Sequence, residues 1–183
     1  TNGTVGAISV QTYTGSAITP NPTVTALSKT LTKGTDYSLT YKNNTNVGTA
    51  TVYIVGKGNF CGSKTATFTI SDKTAPTVND IGGGTTLKAT SQNLTLKCTD
   101  TVGVTAYYWG TTEPTAATAA TITTAADLTA LASTSGLTKS VNAAGTYWLA
   151  CRDAAGNYAK KSITIASYTV NNLLETIAGT TGT

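Results

Sequence analysis

Few residues in this 183-residue chain are equipped to do chemistry. It has no histidine, which excludes imidazole catalysis and imidazole metal ligation together. Three cysteines stand at Cys61, Cys98 and Cys151, a spacing that matches neither a zinc knuckle nor a Cys-x-x-Cys redox pair. Cys61 follows Phe60 at a turn, where an odd cysteine offers a free thiol or an intermolecular partner. The bases near it in sequence are only Lys57 and Lys64. The eight acids are Asp36, Asp72, Asp80, Asp100, Glu113, Asp127, Asp153 and Glu175. Glycoside hydrolysis requires two carboxylates facing each other across a cleft. Asp36 and Asp153 sit instead at turn or strand-start positions, where a short carboxylate caps backbone donors. Asp100 and Asp153 could approach at one end of a β-domain and hold calcium. A hard cation wants six or more oxygens, however, and no dense Asp/Asn loop supplies them. No catalytic residue, metal site or cofactor is expected.

Composition says what kind of scaffold carries these groups. Threonine is the commonest residue, and charged residues make up only 11%, where soluble proteins average about a quarter. Threonine suits the wet face of a strand, and the abundant Gly and Asn supply turns. Solubility then comes from hydroxyls and amides, which fits an extracellular β-protein. The net charge of +4 arises from scattered lysines and the single Arg152, with Lys160 and Lys161 the only adjacent basic pair. That is not the concentrated basic face of a nucleic-acid binder, so no nucleic-acid partner is expected. No apolar run approaches the roughly 18 residues of a membrane span. With no methionine and no leader-like start, the chain reads as an interior piece of a longer protein.

In the first half, apolar residues alternate with polar ones in short runs. Tyr37, Leu39 and Tyr41 share one face; so do Ala50, Val52 and Ile54, and then Ala66, Phe68 and Ile70. A period of two means strands half buried and half wet. The segments YTGSAITP at 13–20, LTKGTDY at 31–37, YKNNTNVGTA at 41–50 and GKGNF at 56–60 punctuate them. Together these motifs closely resemble bacterial immunoglobulin-like (BIg-type) repeats of Gram-positive, especially clostridial, surface and secreted proteins, over nearly all of residues 5–70. The resemblance implies a β-sandwich module acting as spacer or presenter, with no shared catalytic residues. Cys61 departs from it, since such repeats more often carry a polar residue there.

The stretch 72–76, ending in Pro76, reads as a short, partly stiff linker. Beyond it Leu94, Leu96 and Cys98 alternate, as do Tyr147, Leu149 and Cys151. Val-Gly-Val at 102–104, Gly-Thr-Tyr at 145–147 and Asp-Ala-Ala-Gly-Asn at 153–157 resemble a second bacterial immunoglobulin-like family. That likeness implies a core disulfide between Cys98 and Cys151, or two buried thiols in a reducing compartment. It also implies that Trp109 packs beside them. Trp148 falls out of phase with its inward neighbours. If the third and sixth strands adjoin, Tyr108 and Trp148 meet on the outer sheet surface as a candidate ligand or partner surface. The alternative is that they shield the sheet. Between these strands lies a Thr/Ala-rich stretch, 111–139. In it Thr124 as N-cap, with Asp127 three residues on, predicts a short helix, with an irregular loop as the alternative.

The expected fold is therefore all-β: two tandem immunoglobulin-like β-sandwiches over residues 1–71 and 77–167, with a short helix in the second. Residues 168–183 read as the start of a following segment or a linker. The expected role is that of a non-catalytic structural or adhesive module of a bacterial cell-surface or secreted multidomain protein. It would space or present neighbouring domains of the same chain. The rival reading is a carbohydrate- or host-glycan-binding module, within a polysaccharide-degrading enzyme for example, with a polysaccharide or a host protein as partner. An enzyme in its own right would need a deep cleft with paired carboxylates.

Overall fold

The computed structural model describes residues 3–88, 90–116, 118 and 121–168. The chain divides into two compact units between Thr74 and Ala75, within the stretch read above as a linker.

The first unit is organised by two long antiparallel strands. These are β6 (Gly48–Gly56) and β7 (Ser63–Ser71), preceded by β5 (Tyr37–Lys42) on the other side of β6. With β2 (Gln11–Thr12) added parallel to β7, they form a sheet of order β2-β7-β6-β5. A smaller antiparallel sheet is built from β1 (Thr4–Val5), β3 (Val24–Ala26) and β4 (Lys29–Thr30) in the order β1-β3-β4. Period-two patterning sends Val52, Ile54, Phe68 and Ile70 to the inner face, where each is at most 5% exposed. Val5 and Val24 from the small sheet pack against Tyr37, Val52 and Ile54, so the unit is sandwich-like. Tyr41 pins the long connection before β3: its hydroxyl donates to the Pro20 carbonyl at 2.7 Å. Burial, with Tyr37 adding to it, pushes the Tyr41 phenol above its ordinary range. Asn44 holds the same connection through the Ile18 carbonyl, at 3.0 Å.

The second unit spreads its strands over three small sheets. β9 (Gly82–Gly83), β10 (Gln92–Leu96) and β13 (Leu137–Val141) form one, and β8 (Thr77–Val78) pairs with β11 (Cys98–Thr99). The third sheet has the order β12 (Val104–Gly110), β14 (Gly145–Asp153), β15 (Tyr158–Ile165). The run from Leu94 to Cys98 is thus not one strand. The chain leaves β13 after Leu96 and joins β8 at Cys98, while all three apolar side chains keep facing the core. Gly83 permits the tight start of this region. Its φ is +124°, and a Cβ there would fall 2.6 Å from the Asn93 carbonyl oxygen. One core gathers Leu94, Leu96, Tyr107, Leu131, Leu149 and Ile165, each at most 1% exposed.

The expected helix is present as α1 (Ala125–Ala132), and its Leu131 inserts into that core. Thr124 occupies the N-cap but makes no side-chain capping bond. Asp127 does not close a capping box either, for its carboxylate is taken by Tyr107 across the domain. The stretch read as the start of a following segment or linker, 168–183, lies outside the described residues except for Tyr168.

The register makes a paired prediction. Phe68 is 3% exposed, and its truncation in Phe68→Ala should cost about 3–5 kcal/mol by loss of contacts and creation of a cavity. Thr67 points outward on the same strand, and Thr67→Ala should stay within about 0.5 kcal/mol of the parent. Urea unfolding of both variants checks this; equal effects would mean that the strand's faces are assigned wrongly.

Candidate functional site

The cysteines are positioned by the break between β10 and β11. Cys98, on the β8–β11 ribbon, and Cys151, on β14, are both fully buried and joined by a disulfide with Cα atoms 6.5 Å apart. The bond ties two sheets across the core, and neither sulfur is available as a nucleophile. In the chain-entropy model, closing its 53-residue separation contributes about 4 kcal/mol. Trp109 packs against the same core, stacked on Tyr147 with ring centroids 5.6 Å apart and planes 18° apart. Cys61 is a free, exposed thiol.

A second group was not anticipated from sequence. The Tyr107 hydroxyl donates to Asp127 Oδ2 at 2.5 Å, and Lys139 Nζ donates to the same oxygen at 3.3 Å. The Lys139 amine also stands 5.8 Å from the Tyr107 ring centre. Burial, then the bond to Asp127, raises the Tyr107 phenol. The phenol's hydrogen bond, with Lys139 adding to it, lowers the Asp127 carboxyl. Lys139 is raised, first by the phenol oxygen and also by Asp127. Every shift deepens the ordinary charge state: tyrosine neutral, aspartate ionised, lysine charged. The effect of the trio is to fasten α1 and β13 to β12. The clue available in the sequence was Lys139, which shares a face with Leu137 and Val141 and so breaks the apolar alternation of β13.

Tyr108 and Trp148 both face away from the core, half-buried on adjacent strands. Tyr108 pairs with Ala150, and Trp148 pairs with Gly110, so the two rings are diagonal neighbours. The Tyr108 ring lies over Gly110, where an added Cβ would come within 2.8 Å of its Cζ. A Cβ at that position would displace the ring. Lys160 Nζ stands 5.6 Å from the Trp148 ring centre. It also donates to Glu113 Oε1 at 2.8 Å and to the Pro114 carbonyl at 3.1 Å, drawing the 111–115 segment toward this face. Glu113 is the main reason the Lys160 amine is raised.

Each of the seven acids among the described residues accepts a hydrogen bond from its own unit. Asp36 takes the Thr32 amide at 2.8 Å, and Asp72 the Thr74 amide at 2.9 Å. Asp80 pairs with Lys161, which lowers its carboxyl below the usual range, while Glu113 and Asp127 hold lysines as described. Asp100 Oδ1 caps the amides of Val102 and Gly103, each at 2.8 Å. Asp153, only 1% exposed, accepts from the Asn157 amide at 2.9 Å and from Asn157 Nδ2 at 2.7 Å. Carboxylate oxygens of Asp100 and Asp153 do come within 4.8 Å of each other, as the sequence allowed. Both serve turns of the second unit.

No protein-family model matches the chain, and no curated protein matches it significantly in sequence.

The Tyr107–Asp127–Lys139 tie predicts a pH dependence of known sign. Asp127 has a lowered carboxyl in the folded state, so its contribution is complete above the usual value of about 4. It disappears as the pH falls through the lowered value. The melting temperature of Asp127→Asn should therefore lie below the parent's at pH 7, and the gap should narrow only in strong acid. A gap independent of pH down to pH 2 would show that the carboxylate's charge does not matter.

Proposed function

We propose that this chain is a non-catalytic, structural or adhesive part of an extracellular bacterial protein. It would comprise two tandem immunoglobulin-like sandwiches that space or present neighbouring domains. The observation that carries this reading is where the chemically capable groups are engaged. All seven described acids and two of the three cysteines hold backbone turns, lysines or sheets together. Two compact units, each with its own core, supply the modular character. The buried disulfide supports an oxidising compartment, where such bonds persist. Faces rich in threonine support work in water without dense charge.

A second reading, recognition of a glycan, draws on one observation: Tyr108 and Trp148 occupy diagonal positions on the same outer face of adjacent strands. Aromatic rings on one face of a sheet are the groups on which sugar rings stack.

Pulling the full chain by its ends tests the spacer reading. Both units should open as separate events and refold on relaxation. Reducing the disulfide should lengthen the chain released from the second unit by about 180 Å, the extended reach of the 53 locked residues. A chain that yields without discrete events, or fails to refold, contradicts a mechanical role. Titration with soluble polysaccharides, using Trp148→Ala as control, decides the second reading: saturable binding lost in the variant would make this a recognition module.

A further inference from the structure

The two sheets of the first unit are unequal in length. β6 and β7 run for nine residues each, whereas β1, β3 and β4 run for two or three. The small sheet cannot cover the large one to its end. What remains open is a cavity of about 270 Å³ reaching the buried side chains of Val24, Tyr37 and Ile54.

Three features of its mouth point to an occupant. Leu27, which lines it, is 73% exposed. Leu27 and Ser28 are the two loop residues of the β3–β4 hairpin, with φ of 51° and 57°. Crowding of Cβ against the carbonyl disfavours that conformation for both, and Asn-Gly is the ordinary choice for such a turn. The hairpin therefore holds a large apolar side chain in water, at the lip of an apolar cavity, against two local preferences. Lys64 lines the same mouth. It pairs with Ile54 in the β6–β7 register and so lies on the inward phase of its strand, exposed and without an acid partner among the described residues. The charge of the chain is also lopsided. Residues 1–74 hold six lysines against two aspartates, whereas residues 75–183 balance six cations with six acids. The whole net charge of +4 thus sits on the unit with the cavity.

We propose that this cavity binds a small apolar molecule ending in an anionic group, of the chemical class of aliphatic or aromatic carboxylates. The apolar body rests on Val24, Tyr37 and Ile54, Leu27 folds over it, and the carboxylate meets the Lys64 amine. The volume lies just below the range of drug-sized pockets, which limits the ligand to a short chain or a single ring system. The free thiol of Cys61 lines the same mouth and reports on occupancy.

Octanoate is the probe, titrated into the isotope-labelled full chain while backbone amide shifts are followed. Saturable shifts confined to the cavity lining are expected. Octanamide, uncharged, should bind at least severalfold more weakly, and hexanoate about tenfold more weakly through the loss of two buried methylenes. Lys64→Gln should abolish the preference for octanoate over octanamide, and Lys64→Arg should keep it. Octanoate should also slow alkylation of Cys61 by iodoacetamide in the unmodified protein, a readout that needs no variant. The proposal is overturned if octanoate gives no saturable shifts, if octanamide binds equally well, or if Cys61 alkylates at an unchanged rate at saturation. It is overturned equally if the same residues shift with protein concentration alone, because the cavity would then receive a second copy of this chain.

Discussion

Burial of one face of each long strand is the constraint on which the structure depends, and the cross-sheet disulfide shows how far it reaches. Cys98 arrives at the core because Leu94, Leu96 and Cys98 keep one phase even where the backbone changes sheets after Leu96. Cys151 arrives there because Tyr147 and Leu149 precede it in phase on β14. With both sulfurs fully buried, the bond is shielded from solvent thiols. The inner residues of the first unit obey the same rule without any covalent help: Val52, Ile54, Phe68 and Ile70 form its cores from long, regular strands. The second unit divides its strands among three small sheets and has, in addition, a staple and a polar tie.

That constraint also decides what the polar groups can do. With so few charges in the chain, an acid that is half-buried must find a donor, and the nearest donors belong to turns and lysines. Asp153 and Asp100 serve turns and Asp127 holds a lysine, as the exposed Glu113 does too. The Tyr107 tie matters most to architecture, because it attaches α1 to the sheet through three groups kept in their resting charge states. An exposed thiol and an amine without an acid partner among the described residues, both at the mouth of one cavity, stand outside this pattern.

Much of the β-pattern was legible in sequence because period-two alternation follows directly from burial. The inward sets at 50–54, 66–70, 94–98 and 147–151 all lie where alternation places them. The outward phase of Trp148, on the strand next to that of Tyr108, also agrees with strand parity. What alternation could not show were strands too short to alternate, such as β1, β4 and β9. It also missed β13, where Lys139 occupies an inward phase because its partner, Asp127, lies twelve residues away on the helix. Asp127 was legible as a helix-start residue, but its real partner, Tyr107, comes from a strand no local rule connects to it. The cavity was hidden for a similar reason: it arises from a mismatch in length between two sheets, which no single segment records.

The acids among the described residues serve the fold. Asp153→Asn tests this most directly, because the change preserves shape and removes the charge from the most deeply buried acid. Asn157 donates to both of its oxygens, so the account predicts a loss of unfolding free energy of about 1–3 kcal/mol in urea. An unchanged or increased stability would contradict it, because it would mean the buried carboxylate is retained against the interest of the fold, as groups kept for binding or catalysis are.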